Sequence, residues 1–361
     1  MGAARRWEAT LHSGIHLSFT GIPSAVGFTP RSPACTEPAL RGDAYRMTAK
    51  AYSGYGLILS ADRNRIGLSD SAYLKAERRG ELVRLRRGAY CEASHWSQLS
   101  PRDRYVLKIR AVVAGSDRPR VLCSFSAAAV WGFPILGDWP EDVHLLAEPA
   151  TGGRSKPGIV RHPVSDAVTR CEERDGLLVV GAARTALDLV LASEFAPAVG
   201  SLDWALWRKN DLRVTLVDVQ EELQRLNPRY RLQHAQSVIE FGTNLSDSFG
   251  ESTTRAVIHL LGYPAPELQV RFADAQGNMD VDYFWRAERK VGEFDGAAKY
   301  MRAEYRGSLT PGEVVWREKK REDRLRRQCD GMIRIIWAET CHPPTLDQLL
   351  RESGLRPSPR Q

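Results

Sequence analysis

The chain has 361 residues, enough for two or three domains with a core each. Its 43% hydrophobic and 26% charged residues are the proportions of a globular protein, not of a disordered or fibrous one. A formal charge of +7 and a pI near 9.1 point to a polyanionic partner, for which nucleic acid is the first expectation, although charge says nothing about fold. No apolar run approaches the ~20 residues of a bilayer span, and the six cysteines are scattered without a CxxC pair. Membrane insertion, a zinc ribbon and a disulfide scaffold are therefore not expected. With no compact apolar core at the N-terminus, free thiols in a reducing cytoplasm are the expectation.

Residues 1–46 carry Gly14, Gly21, Pro23, Gly27, Pro30, Pro33 and Pro38 without sustained periodicity and read as a poorly ordered extension, with Met47 a candidate start. Residues 47–97 sharpen into a pattern. Ser60 suits the cap of a short helix ending at Gly67, Ser69 caps a second helix through Arg79, and LVRLRRGAY follows as a basic hairpin. Two short helices and a β-wing predict a winged helix-turn-helix, whose second helix enters a major groove. Lys75, Arg78 and Arg79 on that helix, with Arg84, Arg86 and Arg87 on the wing, are the expected phosphate contacts, and Ser71 and Tyr73 the candidates for base edges. A solvated surface is the competing account of each basic residue.

Residues 98–245 predict a mixed α/β region. Ser100-Pro101 opens a helix, Ser126–Trp131 forms another that stops at Gly132, Val143–Leu146 and Gly158–His162 read as strands, and Thr185–Leu191 and Val199–Trp207 as helices. No catalytic constellation stands out: His144 and His162 are single histidines on strand-like segments, and Trp131, Trp204 and Trp207 read as core.

The last region, residues 246–361, begins after the polar run GTNLSDS. Ser248-x-x-Glu251 has the form of a capping box, which explains Glu251 structurally, although it is also placed to project toward later carboxylates. A strand at Glu267–Phe272, a hairpin, a charged helix near Val314–Gln328, a strand at Met332–Trp337 and a helix from Thr345 give an α/β domain with a mixed sheet. The cations of the charged helix, Arg317, Lys319, Lys320, Arg321, Arg324, Arg326 and Arg327, suit either a phosphate backbone or a solvated face laced with Glu322–Arg326 type pairs.

The hairpin MDVDYFWRAERKVGEFDG is the stretch nearest to chemistry. Strict alternation with Trp285 opposite Lys290 places Asp282 opposite Glu293 and Asp280 opposite Asp295, four carboxylates on one face with Val281, Tyr283 and Phe294 packed behind. Like charges facing each other destabilise a sheet. Either a cation such as Mg²⁺ relieves them, or they form a solvated acidic face.

GES at Gly250–Ser252, VDYFW at Val281–Trp285, EFDG at Glu293–Gly296, WREKKREDRLR at Trp316–Arg326 and IRIIWAE at Ile333–Glu339 together resemble the Vsr-like branch of the restriction-endonuclease fold, the PD-(D/E)XK superfamily, in a form common in actinobacterial proteins. ERRGELVRLRRGAY resembles the winged-helix part of AbiEi-like antitoxins of type IV toxin-antitoxin systems, and SAAAVWGFP with GAARTALDLV resembles the region that joins the two. The resemblance covers about residues 50–355. It implies a multidomain α/β protein with a restriction-endonuclease-like mixed sheet flanked by helices, and Mg²⁺-dependent hydrolysis of DNA with Asp282 and Glu293 as metal ligands and Glu251 as helper. The family motif ends E-x-K, and this chain has Asp295 there, with Lys299 or Lys290 as substitutes. The alternative it implies is an AbiEi-like repressor or antitoxin, partnered by a cognate toxin, whose nuclease-like domain is inactive.

Overall fold

The computed structural model describes residues 55–60, 70–116, 118–147, 155, 157–163, 169–296 and 311–358, all within a unit that runs from Arg46 to Gln361. The expected extension, the body of the first short helix and Lys299 lie outside the described residues. The architecture is mixed α/β, as the sequence predicts, with three sheets among the described residues.

The first sheet has the order β1-β3-β2, from β1 (Ile58–Leu59), β2 (Leu82–Arg86) and β3 (Ala89–Glu92), all antiparallel. Helix α1 (Asp70–Arg78) precedes the hairpin, and Gly80 supplies the left-handed backbone, φ 73°, that turns the chain into β2. After α2 (Ala93–Gln98), helix α3 (Pro101–Ala114) begins at Ser100, whose hydroxyl accepts from the Asp103 N–H. Leu107 and Ala111, four residues apart on one face of α3, pack against Leu57, Ala89 and Cys91, so the sheet rests on this helix.

The second sheet has the order β6-β5-β4-β8-β7, from β4 (Val121–Leu122), β5 (Val143–Leu146), β6 (Ile159–His162), β7 (Cys171–Arg174) and β8 (Leu177–Val180). Strands β5 and β6 match the expected segments. The sequence reading misses β4, which is two residues long, β7, whose residues are all exposed and show no apolar alternation, and β8, a short continuous apolar run. Helices α4 (Ser124–Trp131), α5 (Ala182–Ala192), α6 (Phe195–Leu206), α7 (Leu216–Leu226) and α8 (Leu232–Phe241) pack around it; α7 and α8 were not expected.

The third sheet follows α9 (Phe249–Leu260) and has the order β12-β11-β10-β9: β9 (Glu267–Asp274), β10 (Gly277–Trp285) and β11 (Lys290–Asp295) are antiparallel neighbours, and β12 (Gly331–Ile336) lies parallel to β11. Helix α10 (Pro311–Arg326) joins β11 to β12, and α11 (Trp337–Thr340) and α12 (Pro343–Glu352) close the chain. Leu325 of α10 packs with Met279, Val281 and Val291 on one face of the sheet. Tyr283, Trp285, Phe294, Ile333 and Ile335 belong instead to the core that includes Ile258 of α9 and Leu346 and Leu350 of α12.

Helix α9 also packs on α6, where an ion pair of 3.0 Å joins Arg255 to the buried Asp203. The expected boundary near 245 falls between α8 and α9, and the apolar core is continuous across it, from Tyr105 to Leu355. No helix among the described residues is long and apolar enough to cross a membrane.

Candidate functional site

The register of the β10–β11 hairpin begins as the sequence predicts, with Trp285 opposite Lys290 and Tyr283 opposite Gly292. It then departs from strict alternation. The β9–β10 ladder pairs Val281 with Val270 and Tyr283 with Leu268 but omits the pair between them, Asp282 and Gln269, and Gln269 has φ 52°, in the left-handed region. The side-chain pattern slips by one residue at this point. Val281 packs under α10, whereas Tyr283 packs toward α9 and donates its hydroxyl to the Glu251 carbonyl at 2.7 Å.

That slip corrects the expectation of four carboxylates on one face. Asp280 leaves the group and pairs with its cross-strand neighbour Arg271 at 2.7 Å. Asp282 turns to β11, where its Oδ2 accepts the Phe294 N–H at 2.8 Å. Glu293 is the next residue of β11 after the last paired position, and the Asp282 carboxylate, bonded to the N–H of the residue after it, lies near enough for their charges to interact.

Glu251 helps cap α9 without completing the expected box, since its carboxylate takes the Asp247 N–H and not the Ser248 N–H. It is 2% exposed, its own N–H donates to the Ser248 hydroxyl at 3.2 Å, and its carboxylate accepts from the Ser248 hydroxyl at 2.8 Å and the Asp247 N–H at 2.9 Å. The Gln269 side-chain amide then bridges inward, 3.0 Å from Glu251 Oε2 and 3.5 Å from Asp282 Oδ1. The left-handed backbone at Gln269 and its amide thus act at one place, between helix α9 and the acid of β10.

The cation at the centre comes from α10. Arg321 Nη1 lies 2.6 Å from Glu293 Oε1 and 3.3 Å from Glu318, and its Nη2 donates to the Asp280 carbonyl at 2.6 Å. Burial pushes the Glu293 carboxyl up; Arg321 pulls it down, and Asp282 and Glu318 push it further up. Burial acts to lower the Arg321 guanidinium, and the carboxylates of Glu293, Glu318 and Asp282 outweigh it, so Arg321 ends above its ordinary value. Arg334, opposite Glu293 on β12, completes a belt of alternating charge, 3.7 Å from Glu318 and 3.9 Å from Asp295.

The position expected to hold a lysine is therefore an aspartate beside an arginine, and Lys290 stands at the far end of the strand, its ammonium donating to the Asp330 carbonyl at 3.3 Å. Gln269 lies in no motif, and Arg321 and Arg334 fall inside the WREKKREDRLR and IRIIWAE segments without a spacing that assigns them to the site. Only Arg321 carries a sequence signal: it lies one turn before the buried Leu325, which places it on the inner side of its helix.

Asp282 and Glu293 are hard oxygen donors, the type that takes Mg²⁺ together with waters and a substrate phosphate. Among the described residues, no three acidic, histidine or cysteine side chains converge into an all-protein cage. Two carboxylates would need waters and a substrate phosphate to complete a cation's shell, and Glu293 Oε1 is already engaged by Arg321.

The basic unit of residues 70–92 is a second candidate surface. Lys75, Arg78, Arg79, Arg84 and Arg87 are exposed, Arg79 in an ion pair with Glu81 at 2.7 Å. Two expectations are corrected. Arg86 turns inward and donates to the carbonyls of Ala111 and Val112 at 3.4 and 3.1 Å, satisfying the last turn of α3, and Tyr73 is 1% exposed and stacked on Tyr90, so it is a core residue and not a base reader.

No family model and no curated protein matches the chain. Among solved structures, the chain is similar to the RV2827C protein from Mycobacterium tuberculosis, with 18% identity and a TM-score of 0.34 over 52% of this chain and 74% of that one. A likeness at that level does not establish a common fold.

Proposed function

We propose that the chain is a DNA-binding protein whose C-terminal sheet carries a Mg²⁺-dependent phosphodiester hydrolase site of the restriction-endonuclease kind. The observation that carries this reading is the neighbourhood of Asp282 and Glu293 where β10 and β11 part, with Glu251 and Gln269 held behind Asp282. The order α9-β9-β10-β11-α10-β12 around a mixed sheet agrees with the resemblance of its motifs to Vsr-like endonucleases.

Asp282 and Glu293 would hold the metal, which when bound polarises a phosphate and lowers the pKa of an attacking water. The Phe294 N–H fixes one oxygen of Asp282, and Gln269 orients the other. Arg321 and Arg334 supply the positive charge that the family motif draws from a lysine, and Asp295 holds Arg334 in place. The exposed residues Lys75, Arg78, Arg79, Arg84 and Arg87 hold the backbone of duplex DNA.

The test is incubation of the full chain with duplex and single-stranded DNA in Mg²⁺ or Mn²⁺. Cleavage is expected from the wild type and not from Asp282→Ala or Glu293→Ala; cleavage that persists in the double variant overturns the assignment.

The close pair of Arg321 and Glu293 favours a second reading, an AbiEi-like cytoplasmic repressor or antitoxin in which the carboxylates are neutralised internally and the sheet is a surface for a cognate toxin. It predicts salt-sensitive binding to the chain's own promoter and no cleavage with any divalent metal.

A further inference from the structure

Helix α10 has two sides of different character. Its inner side is consumed by the sheet: Arg321 meets Glu293, Arg324 meets Asp274 at 2.6 Å, and Leu325 is fully buried. Residues four and seven apart return to one face of a helix, which brings Trp316, Lys320 and Asp323 into a single outer stripe about 10 Å long, with Arg327 in the turn just past the helix end. Arg317 and Lys319 flank it, and all six of these residues are exposed.

Trp316 is 57% exposed, and the Lys320 ammonium lies 3.5 Å from the centroid of its ring. Arg326, at the edge of the stripe, is engaged by Glu322 at 2.6 Å. That leaves Arg317, Lys319, Lys320 and Arg327 against two exposed acids of the helix, Glu313 and Asp323.

A large exposed ring set among cations matches what an unpaired nucleic-acid strand offers, a base face between phosphates. A duplex keeps its base faces stacked and gives an indole nothing to cover, whereas an unpaired strand offers a base face.

We propose that the outer face of α10 binds single-stranded DNA, with Trp316 stacking on a base and Arg317, Lys320 and Arg327 holding the flanking phosphates. The proposal rests on the reading that DNA reaches the C-terminal sheet, and it deepens that reading by naming an unpaired strand as the form delivered to Asp282 and Glu293. Arg321, on the opposite, inner side of the same helix, touches Glu293, so α10 stands between the stripe and the carboxylates.

Fluorescence anisotropy of labelled oligo-dT and of a labelled duplex, with the full chain in EDTA, tests it. Trp316→Ala is expected to weaken oligo-dT binding about tenfold and duplex binding by less than about twofold, while Trp316→Phe keeps most of the affinity because stacking survives. Lys320→Ala with Arg327→Ala is expected to lower the salt dependence of oligo-dT binding by roughly one to two ions. Equal losses on both DNAs, or no loss from Trp316→Ala, overturns the proposal. All these positions are exposed, so unfolding curves should match the wild type. Because the assay contains no free metal, the absence of cleavage would leave this result standing.

Discussion

Arg321 and Glu293 form an ion pair of 2.6 Å across the gap between helix α10 and strand β11, and this contact sets the charge of the carboxylate site. A guanidinium and a divalent cation compete for the same oxygen. Arg321→Ala is therefore expected to raise the affinity for Mn²⁺, measured by calorimetry, by about tenfold. Without metal it is expected to cost roughly 1–3 kcal/mol in urea unfolding, because Glu293 is left buried beside Asp282. Unchanged metal affinity would show that the pair does not guard the site.

Glu251 closes the first turn of α9 and meets Gln269. Glu251→Ala removes the acceptor of the Asp247 N–H and of the Gln269 amide, and a loss of about 1–3 kcal/mol in unfolding free energy is expected. Glu251→Gln should recover part of it. A neutral effect of the alanine variant would mean that water replaces the carboxylate freely.

Gly250 is where α9 comes closest to β11. A β-carbon there would overlap the Phe294 ring, which is itself buried edge-on against Trp337 at 5.1 Å. Gly250→Ala should destabilise by about 1–3 kcal/mol and shift the Phe294 backbone that holds Asp282, so metal binding should fall with stability. Wild-type stability in this variant would show that the ring has room to move.

The exposed and inward arginines of the hairpin should separate in their effects. Arg84→Ala with Arg87→Ala is expected to weaken duplex binding and to lower the salt slope by about two, with little change in stability. Arg86→Ala is expected to cost on the order of 1 kcal/mol by leaving the Ala111 and Val112 carbonyls unpaired, with a smaller effect on salt slope. The reverse pattern, read from anisotropy and urea unfolding, would overturn the assignment of Arg86 to the end of α3.

His144 Nδ1 and His162 Nε2 are 2.9 Å apart on β5 and β6. Burial pushes His144 down to about 4, the neighbouring imidazole acts in the same direction, and Asp142 opposes them. The fold favours the neutral ring, so the pair's full contribution to stability is present above the unfolded pKa near 6.5 and is lost as pH falls toward 4. Between pH 7 and 5 the loss from His144 should be about 1–2 kcal/mol, reduced from the full shift by partial exposure, and His144→Asn should remove it from the pH dependence of unfolding. An identical pH profile in the variant would place the acid sensitivity elsewhere.

Strands and helices with strong local patterns were legible: α3 from Ser100-Pro101, β5 to the residue, and the order of elements from Glu251 to Leu350. The two-residue β4, the all-exposed β7 and the apolar run of β8 were not, because pairing makes them strands and no alternation of their own does. In the candidate site, Asp282, Glu293 and Glu251 were visible as acids at suggestive spacing. That Gln269, Arg321 and Arg334 join them was not: each reaches the site from a different element, and Arg321, expected on a phosphate backbone or a solvated face, turns inward to Glu293.

The sequence by itself determined the hairpin, its turn and the opposition of its first residues, because alternation and charge act between near neighbours. Only the tertiary structure decided which acids stay together. The left-handed backbone at Gln269 shifts the face on which side chains emerge, sends Asp280 to Arg271 and Asp282 to β11, and lets a helix that follows the hairpin in sequence place Arg321 against Glu293. A periodic pattern cannot show such a slip, since it depends on what α9 and α10 press against the two faces of the sheet.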